Sequence, residues 1–209
     1  MGNNTLDSLD AAVLAESGIT RAAPESIAEA YSMWVPVHLV KLALHGIAGE
    51  RCLCGCRLHR AAFIVANRGT GELLGPVGSE CVRRFGAGDA VKRLEALARL
   101  EEQNVYSRHF GKELPVRTAE CAVERAVTQD AIDGLLAIGA LEPAPGDGFP
   151  ELDADAAHKL LTDVFHKYKT GFDLRPKAHE LMERRVRGRF EAWCEEGVEA
   201  LLSLMRAAA

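Results

Sequence analysis

Apolar residues recur with a helical period over most of this chain. The spacing i, i+3, i+4, i+7 predicts a helix that ends at Gly171, and its apolar positions are Ala157, Leu160, Leu161, Val164, Phe165 and Tyr168. Pro176 then opens a predicted long final helix, with Met182, Val186, Phe190, Trp193, Gly197 and Leu201 along one side. Another amphipathic helix is predicted from about Asp89. Helices therefore dominate the predicted architecture.

The N-terminal part is predicted to form short helices separated by breaks. Asp7 or Ser8 can cap a helix that ends near Gly18, and Pro24 stands where a first helical turn tolerates proline. Residues 36–46 are apolar between Pro36 and Gly46, and we predict a further helix there. One broken helix or two short helices are predicted over residues 118–138, around Thr128.

Two segments in the middle of the chain differ from this pattern. AAFIVAN and ELLGPV are rich in β-branched and apolar residues, and they flank the glycine-containing RGTG. This combination predicts a β-hairpin. Ser79 follows, placed to cap a short helix that contains Cys81. The predicted fold class is mainly α: a helical body with one small β-hairpin plus helix embedded near residues 50–86.

Composition changes mark five predicted regions. Residues 142–153 contain three prolines and two glycines, which is typical of a linker or long loop. The regions are N-terminal helices over 1–49, the hairpin module over 50–86, a helical region over 87–141, the linker, and C-terminal helices over 154–209.

The overall composition is that of an ordinary globular protein. Of 209 residues, 48% are hydrophobic and 26% charged, which excludes a disordered chain. No apolar run approaches the roughly 18–20 residues of a membrane span, and no basic segment precedes an apolar one at the start. We therefore expect a cytoplasmic protein. In a reducing compartment, six cysteines are expected to be metal ligands or small buried residues rather than disulfides.

Three of these cysteines fall within five residues, at Cys52, Cys54 and Cys56, and a fourth follows at Cys81. Close neighbours satisfy the geometry of a disulfide poorly. A metal instead needs several thiolates brought to one point by a tight turn and a second element. Gly55 suits such a turn. The alternative is a cluster of reduced, metal-free thiols.

The order of a cysteine turn, a hairpin and a helix bearing a cysteine resembles the treble-clef zinc finger. More narrowly, CLCGC followed by TGE, VGSEC and a phenylalanine looks like a small zinc module of uncharacterised bacterial and phage proteins. The resemblance covers residues 50–86. It implies one structural Zn²⁺ held by Cys52, Cys54, Cys56 and Cys81. The sequence departs from the usual pattern, with C-x-C where C-x-x-C is common and one helical cysteine where two are usual.

His59 stands three residues after Cys56 and is an alternative ligand, since imidazole and thiolate both suit zinc. Four such ligands would make a closed site without room for an activated water, hence a structural one. Cys121 and Cys194 lie in helical stretches and are expected to be small core residues.

Charge is distributed unevenly along the chain. Residues 51–93 carry a net charge of +5 and the remainder −10. A solvated basic surface and a charged partner explain this asymmetry about equally well. If the module folds as a unit, Arg57, Arg60, Arg83 and Arg84 can contact phosphates. The leading hypothesis is therefore nucleic-acid binding, most of all duplex DNA, in a bacterial or phage context. Phe63 and Phe85 are expected in the core, which disfavours base stacking.

The competing hypothesis is a zinc-stabilised protein interaction module or regulatory adaptor without enzymatic activity. Its partner surface would be the acidic helical body or the helix with Trp193, and the apolar stripe of the C-terminal helix could form a homodimer. An enzyme is the least supported class. No nucleophile motif is present, and the histidines do not have the spacing of H-E-x-x-H or of another metal-binding pair. RGTGELLGPVG also lacks the G-K-[S/T] of a phosphate-binding loop.

Overall fold

The computed structural model describes residues 7–20, 23–110, 129–142 and 176–207; within them, the side chains of 103–110, 176–184 and 187 are outside the description. The helices are α1 (Ser8–Glu16), α2 (Pro24–Ser32), α3 (Ser79–Val82), α4 (Gly88–Phe110), α5 (Gln129–Ala137) and α6 (Pro176–Ala207), and the strands are β1 (Trp34–Lys41), β2 (Ala61–Asn67) and β3 (Leu73–Val77). Single 3₁₀ turns cover Leu42–His45 and Arg83–Phe85.

The chain divides into two compact units, Met1–Leu94 with Glu196–Ala209 and Glu95–Glu195. Helices α4 and α6 therefore contribute residues to both units. The predicted helix over 157–171, residues 118–128, Cys121 and the predicted linker beyond Glu142 lie outside the described residues.

The predicted helix start signals at Asp7, Pro24 and Pro176 are confirmed. The side chain of Asp7 caps α1 by accepting the backbone N–H of Asp10 at 2.9 Å. Proline opens both α2 and α6, at Pro24 and Pro176. Helix α4 begins at Gly88, one residue before the predicted start. None of the helices in the described ranges is long and apolar enough to cross a lipid bilayer.

The predicted fold class, a helical body with a lone hairpin, is wrong. Residues 34–41, of which 36–41 were predicted as helix, form strand β1, and the sheet has three antiparallel strands in the order β1-β2-β3. Three β-branched valines favour an extended chain here, and Pro36 is tolerated because β1 is an edge strand. Helices still make up most of the described residues. The unit that contains the sheet is nevertheless a small mixed α/β unit.

Strand β2 lies in the middle of this sheet and is buried on both faces. Phe63, Ile64 and Val65 are all at most 1% exposed. Ile64 shares one apolar cluster with Leu201 of α6, and Cys52 belongs to the same cluster. Phe85, predicted to lie in the core, is also buried. The C-terminal end of α6 therefore packs in the same apolar cluster as Cys52.

Three of the apolar residues predicted along the final helix, Phe190, Trp193 and Leu201, are buried. Phe190 and Trp193 are buried within the second unit and stack with 6.2 Å between ring centroids. Leu201 is fully buried in the first unit. A homodimer through α6 stays a prediction, and it would need residues other than these three.

Helix α6 approaches β1 closely at Gly197. A Cβ at this position would lie 3.0 Å from Nδ1 of His38 and 3.3 Å from its Cβ. We expect Gly197→Val to lower the free energy of unfolding by about 1–3 kcal/mol, the usual cost of overpacking. Gly188 in the same helix has open space around it. The matched variant Gly188→Val should therefore be neutral or slightly stabilising in chemical denaturation; equal effects at both glycines would contradict this packing.

Candidate metal centre

The three clustered cysteines lie on a tight turn closed by its own backbone. Arg51 and Arg57 form an isolated antiparallel bridge, and the N–H of Cys52 donates to the carbonyl of Cys56 at 2.8 Å. Gly55 has a φ of +86°, which residues with a Cβ adopt only under strain. The guanidinium of Arg51 donates to the Gly55 carbonyl at 2.9 Å. We call residues 51–57 the knuckle.

The knuckle is joined to the end of β3 and the start of α3. The N–H of Leu53 donates to the carbonyl of Pro76 at 3.0 Å, and the N–H of Gly78 donates to Sγ of Cys52 at 3.2 Å. A Cβ on Gly78 would lie 3.3 Å from Leu58. Glycine at this position therefore allows the backbone to approach the sulfur closely.

The predicted cap at Ser79 is wrong. Ser79 is the first residue of α3, and Gly78 holds the cap position without any side-chain hydrogen bond. The predicted short helix containing Cys81 is confirmed. Helix α3 therefore begins directly after Gly78, the residue that contacts the knuckle.

This arrangement brings three thiols together. The Sγ atoms of Cys52, Cys54 and Cys81 all lie within 4.8 Å of one another. Cys52 is buried and the other two are half-buried. A Zn–S distance of about 2.3 Å implies sulfurs about 3.8 Å apart in a tetrahedral site. Only a small contraction separates the observed spacing from that geometry, so the three residues fit a metal ion that prefers sulfur.

The structure does not place the other two predicted ligands in this group. Cys56 is exposed, and its thiol is hydrogen-bonded to Cys54, which raises the pKa of Cys56. His59 is exposed two residues beyond the knuckle. Among the described residues, the cluster therefore supplies three ligands.

Hydrogen bonds within the cluster favour one thiolate. Burial alone would raise the pKa of Cys54, but the backbone N–H of Cys56 and the thiols of Cys52, Cys81 and Cys56 lower it to about 7. Burial, and then the neighbouring Cys54 and Cys52, raise the pKa of Cys81. Cys54 is therefore the thiol that loses its proton most readily, while Cys56 and Cys81 hold theirs. A bound cation would displace those protons, because thiolates are the metal-binding form.

The predicted basic contacts have different surroundings. Arg57 and Arg60 are exposed beside the knuckle. Arg83 is paired with Glu80 at 3.2 Å, and both side chains are more than 70% exposed. Such surface pairs contribute little and exchange readily. These three arginines can therefore reach a partner in solvent.

Arg84 is instead part of a structural network. It forms ion pairs with Asp7 at 2.6 Å and with Asp10 at 2.7 Å, and it lies 5.3 Å from the centroid of the Tyr31 ring. The Tyr31 hydroxyl donates to the same Asp10 oxygen at 2.9 Å. A phosphate would have to compete with two carboxylates for this guanidinium. We therefore leave Arg84 out of any proposed binding surface.

In the sequence Asp7 is recognisable only as a cap, and neither Asp10 nor Tyr31 is recognisable as a partner of Arg84. No local spacing reveals these contacts, because Asp7, Asp10 and Tyr31 lie 77, 74 and 53 positions before Arg84. The chain matches none of the family models, curated proteins or solved structures with which it was compared.

Proposed function

We propose that this protein is a structural zinc protein in which Cys52, Cys54 and Cys81 hold one Zn²⁺ and the basic residues beside the knuckle bind nucleic-acid phosphates. The observation that carries the metal part is the convergence of three sulfurs within 4.8 Å from two segments. Cys56 or His59 would complete the coordination shell.

Several features support a structural rather than a catalytic ion. The cluster contains thiols and no carboxylate. Cys52 also packs in the apolar cluster with Ile64 and Leu201. An ion here would join the knuckle to α3, and thiolate ligands are typical of structural zinc sites. Its role would be to fix the position of the knuckle.

The proposed nucleic-acid contacts beside the knuckle are Arg57 and Arg60, which we call the basic knuckle surface. Both are exposed, and they lie within four residues at the point that the ion would fix. Guanidinium groups bind phosphate through paired, charge-assisted hydrogen bonds. Arg83 is a further contact, since its exposed pair with Glu80 can give way to a phosphate.

Salt dependence tests this surface. Anisotropy of a labelled duplex DNA, measured over a series of salt concentrations, should show binding that weakens steeply as salt rises. The double variant Arg57→Ala with Arg60→Ala should reduce the slope of log K against log [salt] by about 2, because each lost phosphate contact contributes about 0.9. Arg99→Ala is the control, as Arg99 is an exposed arginine on α4 in the other unit. The same slope for both variants would refute the assigned contacts.

The second candidate function is a protein interaction module. Strand β3 lies at the edge of the sheet; its first residue, Leu73, is 40% exposed, and its other four residues are buried. A partner protein would therefore contact this edge at Leu73 rather than add a strand along it. Wild-type protein that ignores both duplex DNA and RNA at low salt would favour this function over the first.

A further inference from the structure

Cys81 and Arg84 lie three residues apart on one continuous turn of chain. Helix α3 passes directly into the 3₁₀ turn Arg83–Phe85. Residues at this spacing occupy neighbouring positions along a helix. Any displacement of the turn therefore moves the thiol and the guanidinium together.

The turn is attached at its far end to the N-terminal helices. The Arg84 guanidinium binds Asp7 and Asp10 of the α1 segment. The next residue, Phe85, packs edge-on against Tyr31 of α2 with 4.8 Å between ring centroids. Both rings are at most 5% exposed. Charge and aromatic packing thus fix the position of the turn against α1 and α2.

We propose that Arg84 is a positioning residue of the metal site, so that metal binding at Cys81 and the docking of α1 and α2 stabilise each other. The inference rests on the metal site of the proposed function. It extends the module that the sequence delimits at residues 50–86 back to Asp7. Its basis is geometric: the turn that brings Cys81 to the other two sulfurs also carries Arg84, and Arg84 connects that turn to the N-terminal helices.

Such coupling is reciprocal by thermodynamic necessity. Undocking α1 and α2 must weaken metal binding by the same factor by which losing the metal weakens their docking. Coupling of this kind is typically about 5-fold or more. We therefore expect a measurable change in zinc affinity from a residue that does not contact the metal.

The first arm of the test measures zinc affinity by competition with a chromophoric chelator. Arg84→Gln should bind zinc about 5- to 10-fold more weakly than wild type. Arg84→Lys keeps the charge and should restore part of the loss. Lys92→Gln is the control, because it removes only the exposed pair of Lys92 with Asp89. If Arg84→Gln does not fold, Asp7→Asn replaces it, since asparagine retains the cap while removing one ion pair.

The second arm measures the docking of α1 and α2. The indole of Trp34 is fully buried and donates to the Ser17 hydroxyl, at the end of α1, at 2.9 Å. In a Trp193→Phe background, removal of zinc by a chelator should shift the emission of Trp34 to the red and speed amide exchange in α1 and α2. Arg84→Gln should show both changes before chelation.

The outcomes separate the two proposals. One zinc per chain, with unchanged affinity in the Arg84 and Asp7 variants, overturns the coupling and leaves the metal site standing. If chelation leaves Trp34 emission and amide exchange in α1 and α2 unchanged, the coupling is likewise overturned and the metal site stands. Wild-type protein that binds no zinc overturns both. Weaker zinc binding in Arg84→Gln together with loosened helices after chelation supports the coupling.

Discussion

Cys81→Ser is the variant with the largest expected effect: we expect it to contain no bound zinc after purification. Cys194→Ser should retain about one ion per chain. Structural zinc sites with four ligands have apparent binding free energies of about 10–16 kcal/mol. Loss of one thiolate therefore costs roughly 3–4 kcal/mol, or about 100-fold or more in affinity. Cys81 is the ligand that joins α3 to the knuckle, so its loss also disconnects these two elements.

Cys194 is a suitable control because it is a free thiol in the other unit. Burial, followed by the nearby carboxylate of Glu101, raises the pKa of Cys194, and a protonated thiol is a poor ligand. Elemental analysis of the two purified variants measures the number of zinc ions per chain. Equal zinc content in Cys81→Ser and Cys194→Ser would refute the assignment of Cys81.

Asp10→Ala is expected to have the second largest effect, lowering the free energy of unfolding by about 2–3 kcal/mol. Asp10 is only 8% exposed and accepts hydrogen bonds from both Tyr31 and Arg84. Its removal leaves the Tyr31 hydroxyl buried and the guanidinium with one partner. Breaking a fully buried pair typically costs about 3–5 kcal/mol. The Arg84 side chain is 36% exposed, so solvent reduces that cost.

Asp7→Asn is the matched control for Asp10→Ala. The Asp7 side chain is 46% exposed, and asparagine keeps the helix cap, so the expected loss is at most about 1 kcal/mol. Urea unfolding, followed by Trp34 emission in a Trp193→Phe background, measures both variants. Equal losses would contradict the central place of Asp10 in this network.

The contribution of Asp7 should also depend on pH in a defined direction. Burial is the largest single effect on Asp7 and opposes its ionisation, but the N–H of Asp10 and the Arg84 guanidinium together lower its pKa overall. A carboxylate with a lowered folded-state pKa contributes stability above its unfolded pKa of about 3.9, and that stability is lost as pH falls through the folded value. The difference in stability between wild type and Asp7→Asn should therefore shrink as pH falls below about 4.

Helix starts were predictable because their signals are local. Asp7, Pro24 and Pro176 each act within one helical turn of their position. Strand β1 carried two conflicting local signals: Pro36 at the start of an apolar run favoured a helix, while the valines favoured a strand. Pairing with β2, whose residues lie 20 to 33 positions further along the chain than their partners, decides in favour of the strand.

The thiol cluster could be anticipated because cysteines too close together to pair as disulfides have few chemical uses other than metal binding. Which thiols converge could not be anticipated, since Cys54 and Cys56 are equivalent in sequence and differ only in how the turn directs them. The roles of the adjacent arginines Arg83 and Arg84 could not be anticipated either. One is exposed and the other belongs to a structural network, and only the folded position of α1 distinguishes them.

X-ray absorption spectroscopy at the zinc edge, on protein purified without added metal chelators, tests the central claim most directly. The proposed site predicts about one zinc per chain, with at least three sulfur ligands at about 2.3 Å. A shell of oxygen and nitrogen alone, or a preparation without stoichiometric metal, would contradict it.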